Sequence, residues 1–174
     1  MNKVAPWFAA VASALGLHGA AQAQSTEIVQ GLRFDVSYSL LNVKTASSSY
    51  DPLGIRVGIS KPVWGTVQAE GLLGMGVQSG KNSVNPALTT EVGSFVGAYV
   101  KPSFQLSPLV AGFARVGLAS TQIKNGDTHT GLSTGLGLNV ALDANMRIYA
   151  DYTIYKYSDS LGISAFNLGV NYGF

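Results

Sequence analysis

From Ile163 to Phe174 the chain alternates strictly between two kinds of side chain. Phe166, Leu168, Val170, Tyr172 and Phe174 share one parity, while Ala165, Asn167, Gly169, Asn171 and Gly173 share the other. A period of two belongs to an extended strand with opposed faces. One face of this strand is wholly apolar and aromatic.

The same period recurs through Val29 to Leu41, Leu53 to Ser60, Thr66 to Gln78, Glu91 to Lys101, Leu109 to Ser120, Thr130 to Leu142 and Asn145 to Tyr157. With the final segment these predict eight strands, most near the roughly 9–11 residues of a membrane-crossing β-strand. No segment of helical period follows the first two dozen residues. The predicted fold is therefore all-β, an eight-stranded antiparallel up-and-down barrel.

Alternation leaves open which face is inside, since a soluble barrel with an apolar interior has the same period. Composition decides between them. Charged residues are 11% of the chain, against about 25% in soluble proteins. All four arginines, Arg33, Arg56, Arg115 and Arg147, fall mid-strand on the polar parity, with Asp35, Glu70, Glu91 and Asp151. The rest of that face is largely Gly, Ser and Asn, where a soluble barrel would carry Lys and Glu. These eight charged residues are expected to form a paired network inside the barrel, because unpaired buried charge is costly. The apolar parity then faces lipid, and closure removes the open sheet edges that hydrocarbon does not tolerate.

The amino terminus has Lys3, an apolar run from Val4 to Leu17 and Ala21-Gln22-Ala23, the pattern of a cleaved secretory signal. The expected division is a signal peptide over residues 1–23 and a barrel domain over 24–174. With no cysteine in the chain, neither a disulfide framework nor a thiolate metal site can form. The net charge of +2, which falls by one when Lys3 leaves, gives no general attraction to nucleic acid.

The connections Lys61 to Gly65, Ser103 to Pro108 and Asp143-Ala144 are short, and those from Asn42, Ser79, Thr121 and Ser158 are mostly longer and polar. Short and long alternate as periplasmic turns and extracellular loops do. Both barrel ends are accordingly expected in the periplasm, with the aromatics Trp64, Phe104, Tyr172 and Phe174 at the short-turn interface. Taken together, the chain resembles the small eight-stranded outer-membrane barrels of the OmpA/OmpX type, within the porin-like β-barrel superfamily. The resemblance implies integral placement in the outer membrane among lipid and lipopolysaccharide, and a role in envelope integrity, attachment or immune resistance. It also implies that Phe166, Leu168, Val170, Tyr172 and Phe174 resemble the signal read by the barrel-assembly machinery. An extracellular host or surface ligand is a further implied partner.

Lys44, Lys81, Lys124 and Lys156 place one cation at or near each long connection. Such a rim could meet lipopolysaccharide phosphates, although lysine is also common in solvated loops. Catalysis has little to build on. His129 is the one histidine after the leader, and Ser133 lies four residues on without a carboxylate to orient the imidazole. Asp127 and His129 alone do not make a metal site. No catalytic residue, cofactor or metal is expected. Eight strands enclose a bore that side chains fill, so a narrow solute channel is the alternative function, ahead of a lipid-modifying enzyme.

Overall fold

The computed structural model describes residues 31–174 except 46–47, 83–84, 86, 88, 125–126 and 158–160. The leader expected over 1–23, and Val29 and Gln30 of the first expected strand, lie outside the described residues. Eight long strands follow: β1 Arg33–Thr45, β2 Leu53–Trp64, β3 Val67–Gln78, β4 Val92–Gln105, β5 Val110–Ile123, β6 Thr128–Ala141, β7 Met146–Lys156 and β8 Leu161–Gly173. Each pairs antiparallel with the next, and β8 returns to β1. The sheet is a closed barrel.

The closing seam runs unbroken from Arg33↔Gly173 to Thr45↔Leu161. On its outer face Phe34 meets Tyr172, Val36 meets Val170, Tyr38 meets Leu168 and Leu40 meets Phe166. Phe174 finishes the seam through the backbone: its N–H donates to Leu32, and its carbonyl accepts from Gly31. Its ring packs edge-on against Phe34 and Tyr172.

Several strands outrun the alternation. β1 continues from Leu41 to Thr45, β5 from Ser120 to Ile123, β2 from Ser60 to Trp64 and β4 from Lys101 to Gln105. Ladder hydrogen bonds join backbone groups, so pairing carries on into polar sequence that the hydrophobic pattern reads as loop. The cost of proline in a strand is visible locally. Between β4 and β5 the pairing lapses at Lys101 and Pro102 and resumes in the same register at Ser103↔Phe113, because proline has no N–H to donate.

The apolar parity forms a continuous outer belt that includes Val57, Met75, Val116, Leu136, Leu138, Ile154 and Leu168, all exposed. In water this belt would be an aggregation surface; in a bilayer it is solvated. Leu138→Arg on this belt is expected to destabilise the barrel by about 2–4 kcal/mol in lipid if the site lies near the bilayer midplane. Urea unfolding in vesicles reads that loss.

Inside, room for long side chains comes from glycine. Across the ladders Asp35 faces Gly58, Arg56 faces Gly74, Arg115 faces Gly135, Tyr99 faces Gly117, Tyr149 faces Gly169, and Phe113 and Asp151 both face Gly137. A methyl group on Gly58 would meet Asp35 Oδ2 at 2.2 Å. The lumen also has two layers, where the sequence predicts a single charged network among small residues. Toward the long loops lies an apolar cluster that includes Leu41, Val43, Leu72, Val92, Phe95, Tyr155 and Ile163. Toward the short turns lies charge.

Candidate functional site

The charged layer is built around Asp151 of β7. Its carboxylate accepts from Arg56 at 2.6 Å, Thr153 at 2.7 Å and Asn167 at 2.8 Å, and it lies 3.5 Å from Arg115. Ser39 in turn donates to Asn167 at 2.6 Å. Arg56 is fully buried, at 0% exposure. It also donates to the Tyr149 hydroxyl at 3.2 Å, and that hydroxyl donates to Asp35 at 2.8 Å. A relay thus joins Asp35 to Asp151 through one tyrosine and one arginine.

Glu70 of β3 forms the second node. Lys101 approaches it to 2.5 Å, and Arg115 Nε lies 3.3 Å away as an ion pair without hydrogen-bond geometry. Aromatic faces cover the cations. Arg115 lies 5.3 Å from the Phe113 ring centroid and 5.8 Å from that of Tyr99, and Lys101 lies 5.4 Å from Phe113. Such contacts offset part of the desolvation of a buried cation. The node groups Asp35, Glu70, Asp151, Arg56, Lys101 and Arg115 carry equal numbers of negative and positive charges, and all are buried. Their side chains fill the bore at this level.

The structure therefore brings together Asp35, Arg56, Glu70, Arg115 and Asp151 from the expected network. It adds Lys101, the last residue of its expected strand. Lys101 belongs to the interior because β4 runs on to Gln105 and keeps its alternation past Lys101 as far as Phe104. Tyr99, Phe113 and Tyr149 are further members, and their one signal in the sequence is parity shared with a luminal cation, Lys101, Arg115 and Arg147 respectively.

Glu91 is a correction. It stands outside the strands at the long-loop mouth, half-buried, and accepts both bonds from Lys124 at 2.9 Å. Its parity matches the luminal face, but the bore has ended there. The pairing also corrects the rim: Lys124 is neutralised, whereas Lys44, Lys81 and Lys156 are exposed and make no ion pair among the described residues. Lys44 is a strand residue rather than a loop residue, since pairing outlasts the hydrophobic pattern there, and Lys156 ends β7 within its expected strand.

The Lys124 ammonium holds the Glu91 carboxyl below its ordinary range. A depressed folded value means the contribution is present above the unfolded glutamate pKa and disappears as pH falls through the folded one. Lys124→Gln is expected to raise the Glu91 midpoint, followed by carbon NMR of its carboxyl.

Arg33 and Arg147 sit apart from the network at the short-turn mouth. Arg33 donates to Asn171 at 3.0 Å, and no carboxylate pairs with either arginine among the described residues. At the opposite mouth, His129 packs against Tyr157 with ring centroids 6.2 Å apart. Ser133 is buried in the lumen and accepts a hydrogen bond from Tyr99 at 3.0 Å. The histidine and serine thus point into different surroundings. Among the described residues no three groups of metal-ligating type stand together.

A closed eight-stranded barrel with an apolar exterior and a charge-filled interior is a transmembrane barrel of the outer-membrane class. Comparison with known proteins gives the family. The family described as the outer membrane protein beta-barrel domain matches residues 9–174, and the chain belongs to it. It is thus an integral outer-membrane protein. A search of curated proteins finds no match.

Among solved structures, Neisserial surface protein A (NspA) is similar with a TM-score of 0.68 and 15% identity, over 83% of this chain and 98% of that one. The attachment invasion locus protein Ail of Yersinia pestis gives 0.60 at 18% identity, over 83% and 99%. The N-terminal β-barrel domain of Pseudomonas aeruginosa OprF gives 0.56 at 15% identity, over 83% and 98%. At these identities the likeness is one of fold.

Proposed function

We propose that this protein has a structural or surface-interaction role in the outer membrane, serving envelope integrity, attachment or immune resistance, and that it conducts no solute and catalyses no reaction. The observation that carries the reading is the occupied lumen. A layer of paired charges around Asp151 and Glu70 lies beneath an apolar layer around Phe95 and Tyr155. An ion would have to displace both.

The working surface is then the long-loop mouth, which we assign to the cell exterior, with both ends of the barrel in the periplasm. Ail, similar in fold, has been crystallised with the heparin analogue sucrose octasulfate. In this chain Lys44, Lys81 and Lys156 offer cations for lipopolysaccharide phosphates or an anionic surface ligand, beside Asp51 and Asp127. Near-balance of charge favours a solvated rim in contact with lipopolysaccharide headgroups over a strong polyanion receptor. The Phe166 to Phe174 face is proposed as the segment presented to the assembly machinery.

The test combines fractionation with planar-bilayer recording. A heat-modifiable band in the outer-membrane fraction and no stable conductance from the purified protein are expected. Stable, ion-selective conductance would replace this reading with a narrow channel, and a changed lipid A mass spectrum on expression would replace it with a lipid-modifying enzyme. Replacing Lys44, Lys81, Lys124 and Lys156 together by Gln is expected to loosen lipopolysaccharide retention; unchanged retention removes the rim from the proposal.

A further inference from the structure

Every cation in the middle of the lumen is matched by a carboxylate, but the two at the short-turn mouth are not. Arg147 of β7 makes no hydrogen bond or ion pair among the described residues, and its Nε is sealed from solvent without a partner. It lines a cleft of about 230 Å³ with Gln105, Asn139 and the turn residues Pro108 and Leu109. Asn171, directly opposite Arg147 on β8, accepts from Arg33 at 3.0 Å and so holds the second guanidinium near the first.

The nearest acid in sequence is already committed. Asp143 accepts from the backbone N–H groups of Asn145 and Met146, both at 2.8 Å, and so caps its own turn. The Arg147 guanidinium on a cleft whose lining holds no carboxylate, with Arg33 held nearby through Asn171, forms an anion seat, and a guanidinium fork matches a carboxylate in two parallel bonds. At ~30 Å³ per water the cleft has room for roughly seven waters, or one small organic acid, but not a folded partner. Its walls add the Asn139 amide and an apolar edge from Pro108 and Leu109, while the Gln105 amide nitrogen already donates to the Ser107 and Val110 carbonyls.

We propose that the short-turn mouth is a binding site for a small organic carboxylate, seated on Arg147 and drawn in by Arg33. The same chemistry is offered by a free small acid and by the acidic end of a peptide, and the ligand enters along the barrel axis from the short-turn side. The assignment is independent of which membrane face that side occupies.

The protein in phosphatidylcholine nanodiscs is titrated with succinate, with the uncharged succinamide, and with a short peptide ending in two acidic residues, at constant ionic strength. Succinate is expected to move the Arg147 Nε–Hε NMR signal, and succinamide to leave it in place. Arg147→Gln is expected to weaken succinate binding about tenfold or more, the scale of one charge-assisted hydrogen bond. Arg147→Lys, which keeps the charge but loses the fork, is also expected to bind more weakly than wild type.

Binding of the peptide as well supports a chain-end source, and binding of succinate alone supports a free acid. Equal shifts from succinate and succinamide, or wild-type affinity in Arg147→Gln, would overturn the proposal. Should Arg147→Gln lose heat-modifiability, the wild-type comparison of succinate with succinamide and the weaker binding expected of Arg33→Gln decide the matter.

Discussion

Replacing Asp151 by Ala is expected to cost about 3–5 kcal/mol of unfolding free energy, the penalty for removing one partner of a buried ion pair. The carboxylate accepts from Arg56, Thr153 and Asn167 and lies beside Arg115. Its loss strands two guanidiniums in a bore where Arg56 already has Nε and Nη1 without partners. The measurement is urea unfolding in vesicles, followed by the fluorescence of Trp64, which is 83% exposed on the outer surface. The double variant Arg56→Ala, Asp151→Ala is expected to lose clearly less than the sum of the single losses, because the second change removes a charge that the first left unpaired. Additive losses would mean that the two residues act independently and that the network is not a unit.

The closed barrel, its strand count and its lipid face are legible in the sequence because they depend on parity, and parity is local. Phe166, Leu168, Val170 and Tyr172 show this directly: each meets an apolar or aromatic partner on β1. Height along the axis is a different quantity. Arg56 and Asp151 are 95 residues apart and meet across the lumen, which depends on the stagger of every intervening ladder. No single strand encodes that stagger.

The same gap explains why Glu91, Arg33 and Arg147 fall outside the network and Lys101 falls inside it. Glu91 has luminal parity but lies beyond the end of the bore, and Lys101 has luminal parity but precedes a proline that reads as a turn. The apolar upper layer was hidden for a related reason. Leu41, Val43 and Ile163 lie on the inner parity near the strand ends, where the polar residues that mark the luminal face give out.

Gly117→Val is expected to be more damaging than its small size suggests, and it tests the packing rule that makes a filled lumen feasible. A Cβ at Gly117 would stand 2.0 Å from the Ala98 carbonyl oxygen and 2.8 Å from the Tyr99 Cα. Both are backbone atoms of the paired strand, so rotation of a side chain cannot relieve the contact. Either the β4–β5 ladder opens or Tyr99 is pushed off Arg115, and both routes disturb the ion pairs around Glu70. Overpacking of a filled interior costs about 1–3 kcal/mol and sometimes more; with backbone as the obstacle the upper end is expected, read as loss of the heat-modifiable band or a lower urea midpoint. Gly162→Ala provides the contrast, because nothing lies within 4 Å of a Cβ there, and its midpoint is expected to match wild type. If both variants unfold alike, the luminal glycines are not spacers for the long side chains opposite them, and the filling of the bore needs another explanation.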